Sequence, residues 1–320
     1  MTVSRAEHQV AAALRAVDEA DASTGEKAEM LMEIAMGLQQ KPEHVDDLHA
    51  AVMLYRKSLS LCSDGPELLV ARITARMATA LMAIPSDDAD SLMQARDALQ
   101  SSLTIFVQQG TAEETAEAEL NLGLVLQHLA GMQKARSQDS ISAYQRALRT
   151  FDKNKHPKEY AILQNNLATA FLSIPFSDDK DKVREALAVQ AFEEGLSIVT
   201  LIDHPVEYAM LQNNLGNALQ YVSSSHHIDN GYRALEAYDE ALRVRTRRDM
   251  PEAYAITLAN KANCVANLPD NRNDIEAGNS ESLVAASELY REALSLFEEL
   301  GQAGKVCEIT QAISELEQSP

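Results

Sequence analysis

The stretch HPKEYAILQNNLATAF, residues 156–171, returns 48 residues later as HPVEYAMLQNNLGNAL, residues 204–219. Each copy opens on a proline, Pro157 or Pro205, and Pro251 opens a third and more divergent segment of the same kind. Proline suits the first turn of a helix, where its missing N–H would have no intrahelical partner. The apolar residues that follow recur at helical spacing, so both copies read as helices. Inside them lies LQNNL, Leu163–Leu167 and Leu211–Leu215. Asparagine costs about 0.5 kcal/mol relative to Ala in a helix interior, because its amide competes for nearby backbone groups. Two adjacent asparagines held in one register in two helices therefore need an explanation.

The same period runs along the whole chain. A leucine marker recurs at Leu14, Leu59, Leu103, Leu148, Leu196, Leu242 and Leu294, at intervals of 45, 44, 45, 48, 46 and 52 residues. Four residues before six of these markers stand Tyr55, Leu99, Tyr144, Phe192, Tyr238 and Tyr290. They lie one helical turn away on the same face, and a small residue precedes most markers, which describes a packed helix seam. A second helix type alternates with the first and carries MEIAMGL, ARMATAL, LNLGLVL, NNLATAF, NNLGNAL and NKANCVA. Each unit reads as helix, loop, helix, and neither helix buries its apolar stripe without the neighbouring unit. Residues 4–20 read as a lone capping helix, 25–302 as about six helix pairs and 303–320 as a second cap, one array over residues 1–320.

Composition agrees with helices joined by short turns. The 320 residues include twelve glycines, nine prolines and no tryptophan. The formal net charge of −20 favours solubility and repels nucleic acid and anionic lipid. Cys62, Cys264 and Cys307 are an odd number and far apart, which fits neither a disulfide framework nor a zinc motif and suits a reducing cytoplasm. The first twenty residues lack the apolar run of a signal peptide, and no 18-residue apolar stretch occurs, so no membrane span is expected.

The small-residue pattern, Leu215-Gly216 and Leu219 in one helix with Ala234, Tyr238 and Ala241-Leu242 in the next, resembles tetratricopeptide repeats. The two HP-x-EYA-x-LQNNL segments are similar to the longer repeats of kinesin light chains and of bacterial proteins that carry such arrays beside a CHAT protease domain. The resemblance covers nearly the whole chain and implies an all-α, right-handed superhelical solenoid of about fourteen antiparallel helices. The units depart from the usual length of about 34 residues. No CHAT or other catalytic domain is recognised, so any such activity is expected on another chain.

In tetratricopeptide arrays the first helix of each pair lines the concave groove. That implies a groove position for Asn121, Asn166, Asn214 and Asn260, which share one register over four successive units. Asn165 and Asn213 stand one residue earlier; Asn217 and Asn263, with Thr169 at the same position, stand three later. An amide offers two donors and two acceptor lone pairs, which suits it to hold an extended partner backbone. The alternative use is to cross-link neighbouring helices without a ligand. The same register gives Met32, Met36, Ala75, Thr79, Leu120 and Leu124 in the first units, an apolar stretch of groove or, with a one-residue slip, core. Asn217 and Asn263 match the two asparagines of the carboxylate clamp found in some such modules, yet Asn213, Gln311 and Glu315 fall where its cations are required.

Other candidates read as structural. His226-His227 has too few companions for a metal site, and His156 and His204 precede helix-opening prolines. The acidic loops from Ser86, Ser177 and Pro269 suit helix N-caps better than calcium. RVRTRRD, residues 243–249, is the one dense basic run and sits at a helix end, where it suits the dipole or an acidic partner segment. No nucleophile stands beside a base and no phosphate-cradling loop is visible, so no enzyme activity, cofactor or metal is expected. The function that follows is an adaptor or assembly chaperone holding a peptide segment of a protein partner. The alternatives are a regulatory sensor of a small peptide or metabolite and a ligand-binding or enzymatic protein using the amide groove on a small molecule.

Overall fold

The computed structural model describes residues 5–62, 65–85, 88–174, 181–222, 226–274 and 278–318. Among the described residues it contains fourteen α-helices and no strand, only an isolated bridge between Asn271 and Asp274. The contacts divide the chain into two compact units, Met1–Asp152 and Lys153–Pro320.

The first unit holds α1 (Arg5–Asp18), α2 (Thr24–Gln40), α3 (Val45–Leu61), α4 (Glu67–Ala83), α5 (Asp90–Gln109), α6 (Ala112–Gly131) and α7 (Ser137–Ala147). Here α2 pairs with α3, α4 with α5 and α6 with α7, while α1 packs on α2 and α3. Two helices begin on reciprocal caps, Ser23 with Glu26 and Thr111 with Glu114. Each cap satisfies two backbone N–H groups that a helix start leaves unpaired.

The second unit holds α8 (Pro157–Leu172), α9 (Asp181–Leu196), α10 (Pro205–Tyr221), α11 (His227–Leu242), α12 (Pro251–Ala266), α13 (Ser280–Glu299) and α14 (Ala303–Gln318). The pairs are α8 with α9, α10 with α11 and α12 with α13, and α14 packs on α13. Pro157, Pro205 and Pro251 each stand in the first turn of their helix. The turn before α10 and the turn before α12 are built alike. Thr200 Oγ1 donates to Asp203 and accepts its N–H, and Thr246 does the same with Asp249.

The seam inferred from the markers is the core. Tyr55, Leu99, Tyr144, Phe192, Tyr238 and Tyr290 are all buried, each such side chain contributing roughly 1.5–3 kcal/mol by leaving water. The ring of the second helix meets a small residue of the first. A Cβ on Gly216 would stand 2.7 Å from the Tyr238 ring, and one on Gly123 would stand 2.4 Å from the Tyr144 ring. The tyrosine hydroxyls then find an amide one turn further along the first helix. Tyr55 donates to Gln39 Oε1 at 3.0 Å, Tyr144 to Gln127 Oε1 at 2.8 Å and Tyr238 to Gln220 Oε1 at 3.1 Å. In the pairs that carry Leu99 and Phe192 instead of tyrosine, the corresponding first-helix residues are the apolar Met82 and Leu172.

One core position breaks the pattern. Three residues after the marker the chain has Cys62, Phe106, Phe151, Val199 and Phe297, all buried, but Arg245 in the fifth pair. Its Nη1 donates to Thr257 Oγ1 at 2.9 Å, while its Nε is buried without a partner. Burial lowers its pKa. A buried donor left unpaired costs about 1–3 kcal/mol, and Thr257 keeps its own bond to the Ala253 carbonyl if the guanidinium is removed.

Two substitutions test this packing. Gly216→Ala gains helix propensity of up to about 1 kcal/mol, yet it must displace a fully buried ring. A net loss of roughly 1–2 kcal/mol in a denaturant melt is therefore expected. Arg245→Met, which keeps the stem and removes the unpaired donor, is expected to raise the melting temperature by a few degrees.

Candidate functional site

Within the second unit the backbones of the first helices α8, α10 and α12 approach one another directly, with α9, α11 and α13 seated against them. The asparagines lie along these approaches. Asn260 Nδ2 on α12 donates to Asn213 Oδ1 on α10 at 3.2 Å, and Asn213 Nδ2 donates to Asn214 Oδ1 at 3.0 Å. Asn214 Nδ2 donates to Asn165 Oδ1 on α8 at 2.7 Å, and Asn165 Nδ2 donates to Asn166 Oδ1 at 3.2 Å. Five amides thus form one relay across three helices. Asn165, Asn166 and Asn213 are 6%, 8% and 4% exposed, whereas Asn214 and Asn260 are half-buried. Cross-linking of neighbouring helices, one of the two uses open from sequence, is therefore made by the side chains themselves. On α10 both adjacent asparagines are used, Asn213 facing α12 and Asn214 facing α8, with a bond between them.

The remaining residues of the set flank this relay. Thr169 is half-buried, and its Oγ1 donates to the Asn166 carbonyl at 3.0 Å. Asn217 Oδ1 accepts from the Tyr238 hydroxyl at 2.6 Å, and Asn263 Nδ2 donates to the Tyr221 hydroxyl at 2.6 Å. Both asparagines that matched the carboxylate clamp are thus engaged by tyrosines of their own unit. At the helix starts, Tyr160, Tyr208 and Tyr254 donate to Glu194, Glu240 and Glu292 at 3.0, 2.8 and 2.9 Å. Burial, together with the carboxylate acceptor, raises the pKa of all three phenols. These bonds tie each first helix to its partner near the helix start.

In the first unit the equivalent face has a different character. Met32, Met36 and Ala75 are half-buried and pack on the core, while Leu120 and Leu124 are half-buried on α6. Thr79 accepts from Gln39 Nε2 at 2.7 Å. Between α4 and α6, Arg72 pairs with Glu114 at 2.6 Å and Arg76 with Glu117 at 3.6 Å. Asn121 lies beside these pairs at the wall of a shallow pocket. The stretch expected to be apolar is therefore crossed by two ion pairs, which the apolar register alone did not reveal.

The other sequence candidates are accounted for locally. His226 is the N-cap of α11 and His227 its first residue. In the basic run, Arg243 pairs with Glu240 and Arg247 with Glu299, and Arg245 is the buried exception described above. Asp270, in the acidic loop from Pro269, accepts the backbone N–H groups of Glu281 and Ser282 and so caps α13. Ser86 and residues 177–180 of the other two acidic loops lie outside the described residues. The thiols of Cys62 and Cys264 are buried and that of Cys307 exposed; burial pushes the Cys264 pKa up to about 12.

Three solved structures share the fold. BtubC (BKLC) from P. vanneervenii matches over 76% of this chain and 92% of its own, at 20% identity and a TM-score of 0.52. A signal transduction ATPase with a tetratricopeptide repeat sensor from Pyrococcus horikoshii matches over 94% of this chain at 14% identity and a TM-score of 0.61. The fold is of the tetratricopeptide-repeat type. The chain spans 42% of the length of that ATPase. A Rap protein complexed with competence and sporulation factor matches over 99% of this chain and 88% of its own, at 10% identity and a TM-score of 0.51. No family model matches the chain, and no curated protein matches it. Among the described residues, no helix is long and apolar enough to cross a membrane.

The relay predicts coupling between helices. Asn165→Ala and Asn214→Ala each leave a part-buried amide atom without its partner, an expected loss of about 1–3 kcal/mol, offset by about 0.5 kcal/mol of helix propensity. In a double-mutant cycle monitored by chemical denaturation, the pair should show a coupling of roughly 0.5–1.5 kcal/mol. Additive losses would mean that the bond across α8 and α10 contributes nothing.

Proposed function

We propose that the chain is a non-catalytic binding module, an adaptor or assembly chaperone that holds a segment of a protein partner against its first helices. The observation that carries this reading is the α8, α10 and α12 face. There, Thr169, Asn214, Asn217, Asn260 and Asn263 are half-exposed at recurring helix positions, and their neighbours Asn165, Asn166 and Asn213 are buried beneath. The relay orients Asn214 and Asn260, and tyrosine hydroxyls orient Asn217 and Asn263, before any ligand arrives, which lowers the ordering cost of binding. An amide recognises the repeating N–H and C=O of a backbone whatever the side chains are. A Rap protein of this fold is complexed with competence and sporulation factor, which supports ligand capture as a use of such a scaffold.

The non-catalytic part of the reading rests on the sequence, where no nucleophile stands beside a base. A net charge of −20 favours a protein partner over nucleic acid, and unpaired thiols suit the cytoplasm. The second reading is a regulatory sensor of a small peptide or metabolite, and the tetratricopeptide repeat sensor of the Pyrococcus horikoshii ATPase supports sensing as a use of this fold.

Site-directed cross-linking separates these readings from a scaffold that binds elsewhere. A photo-reactive side chain at Thr169 or Asn217 is expected to capture a protein from native lysate, whereas one at Val284, 63% exposed on α13, is not. Capture of a small molecule alone at Thr169 favours the sensor. Equal capture at Val284, or none at the first-helix positions, overturns the assignment of the face.

A further inference from the structure

The Tyr–Gln pattern fails in the last helix pair, and a pocket opens where it fails. The first-helix position that carries Gln39, Gln127 and Gln220 opposite a tyrosine carries Ala266 opposite Tyr290. Ala266 and Tyr290 both line a pocket bounded by α12, α13 and α14. Among the described residues, no hydrogen-bond partner is found for the Tyr290 hydroxyl. Burial raises its pKa to about 12, with the negative charges of Glu308 and Glu315 adding to the shift.

The walls are rich in oxygen acceptors and carry no cationic side chain. Asn267 Nδ2 donates to the Asn263 carbonyl at 2.7 Å, and Asn279 Nδ2 donates to the Ala266 carbonyl at 3.0 Å. A carbonyl partner fixes the orientation of each amide, and each then brings its Oδ1 as an acceptor together with one remaining N–H. Glu315 adds a negatively charged carboxylate, which accepts from Gln311 Nε2 at 2.9 Å. No lysine or arginine lines the pocket. An anion has no purchase on the nearby start of α13 either, because the Asp270 carboxylate already takes the N–H groups of Glu281 and Ser282.

We propose that this pocket binds a cationic amine or guanidinium group, with Glu315 as its counter-ion and the oxygens of Asn267, Asn279 and Tyr290 as acceptors. The aliphatic stem of such a group lies against Leu316 in the same pocket. The net charge of −20 concentrates cations near the protein and adds to the attraction. The chemistry has two sources, a lysine or arginine side chain of a protein partner or a free polyamine. The first deepens the binding role proposed above and rests on it; the second does not.

Titration of the full chain with N-acetyl-arginine amide, its neutral isostere N-acetyl-citrulline amide, and spermidine tests the proposal without any partner. Ligand-observed NMR is expected to show the arginine amide or spermidine binding at least tenfold more tightly than the citrulline amide. Tighter binding of spermidine points to a free polyamine, and tighter binding of the arginine amide to a partner side chain. Ala266→Gln restores the side chain found in the other tyrosine pairs. It should keep the melting temperature while weakening the cationic probe at least tenfold, and Glu315→Gln should weaken it similarly. Equal binding of arginine and citrulline amides, no binding of either cation, or full binding by a folded Ala266→Gln protein overturns the proposal. Because no partner enters the titration, these outcomes are independent of whether the cross-links at Thr169 succeed.

Discussion

The structure depends on how closely the second helix of each pair can approach the first. A ring at the position of Tyr144 or Tyr238 is driven into its partner helix until it meets Gly123 or Gly216, where not even a methyl group fits. That approach places the phenol hydroxyl beside a glutamine amide of the same helix and removes the pair of them from water together. Burying the ring without the amide would strand a hydroxyl, and burying the amide without the ring would strand an amide. The two residues therefore come as a set, and where Leu99 or Phe192 replaces the tyrosine the amide is absent too. The last pair keeps the tyrosine and loses the amide, and a polar pocket takes its place.

Between pairs, in the second unit, a second constraint operates. Helices that pack side by side can slide along one another when only apolar side chains meet. The relay from Asn260 through Asn213, Asn214 and Asn165 to Asn166 opposes such sliding, since a shift of one residue would leave several amides buried without partners. The same bonds align the half-exposed amides of Asn214 and Asn260. Stability and the proposed recognition thus use one set of residues, and the weak helix propensity of asparagine is the cost of both.

Much of the fold was legible because it repeats. The marker leucines, the large residue one turn before six of them and the small residues opposite are spaced by helix geometry, so the period pointed to alternating helices, and the described residues form fourteen. The proline-opened helix starts were equally plain, since only a first turn accepts that residue. Two features of the register carried more than was read from it. Aligning the glutamines with the tyrosines would have exposed both the Tyr–Gln bonds and their loss at Ala266. Aligning the residues after the markers would have flagged Arg245 among Cys62, Phe106, Phe151, Val199 and Phe297.

The asparagines mark the limit. The sequence determined that Asn165, Asn166, Asn213, Asn214 and Asn260 share a narrow strip of successive first helices, because a helix fixes the direction of every side chain from its position. Which atom each amide faces was decided by the tertiary structure, since an Asn amide reaches a neighbouring helix only where the two backbones lie close enough, and that distance is set by the packing beneath. In the same way the ion pairs of Arg72 and Arg76 with Glu114 and Glu117, the capping of α13 by Asp270 and the pocket beside Tyr290 each join residues from separate elements. A one-dimensional period specifies a face; contacts between faces depend on helix separation, which no spacing along the chain encodes.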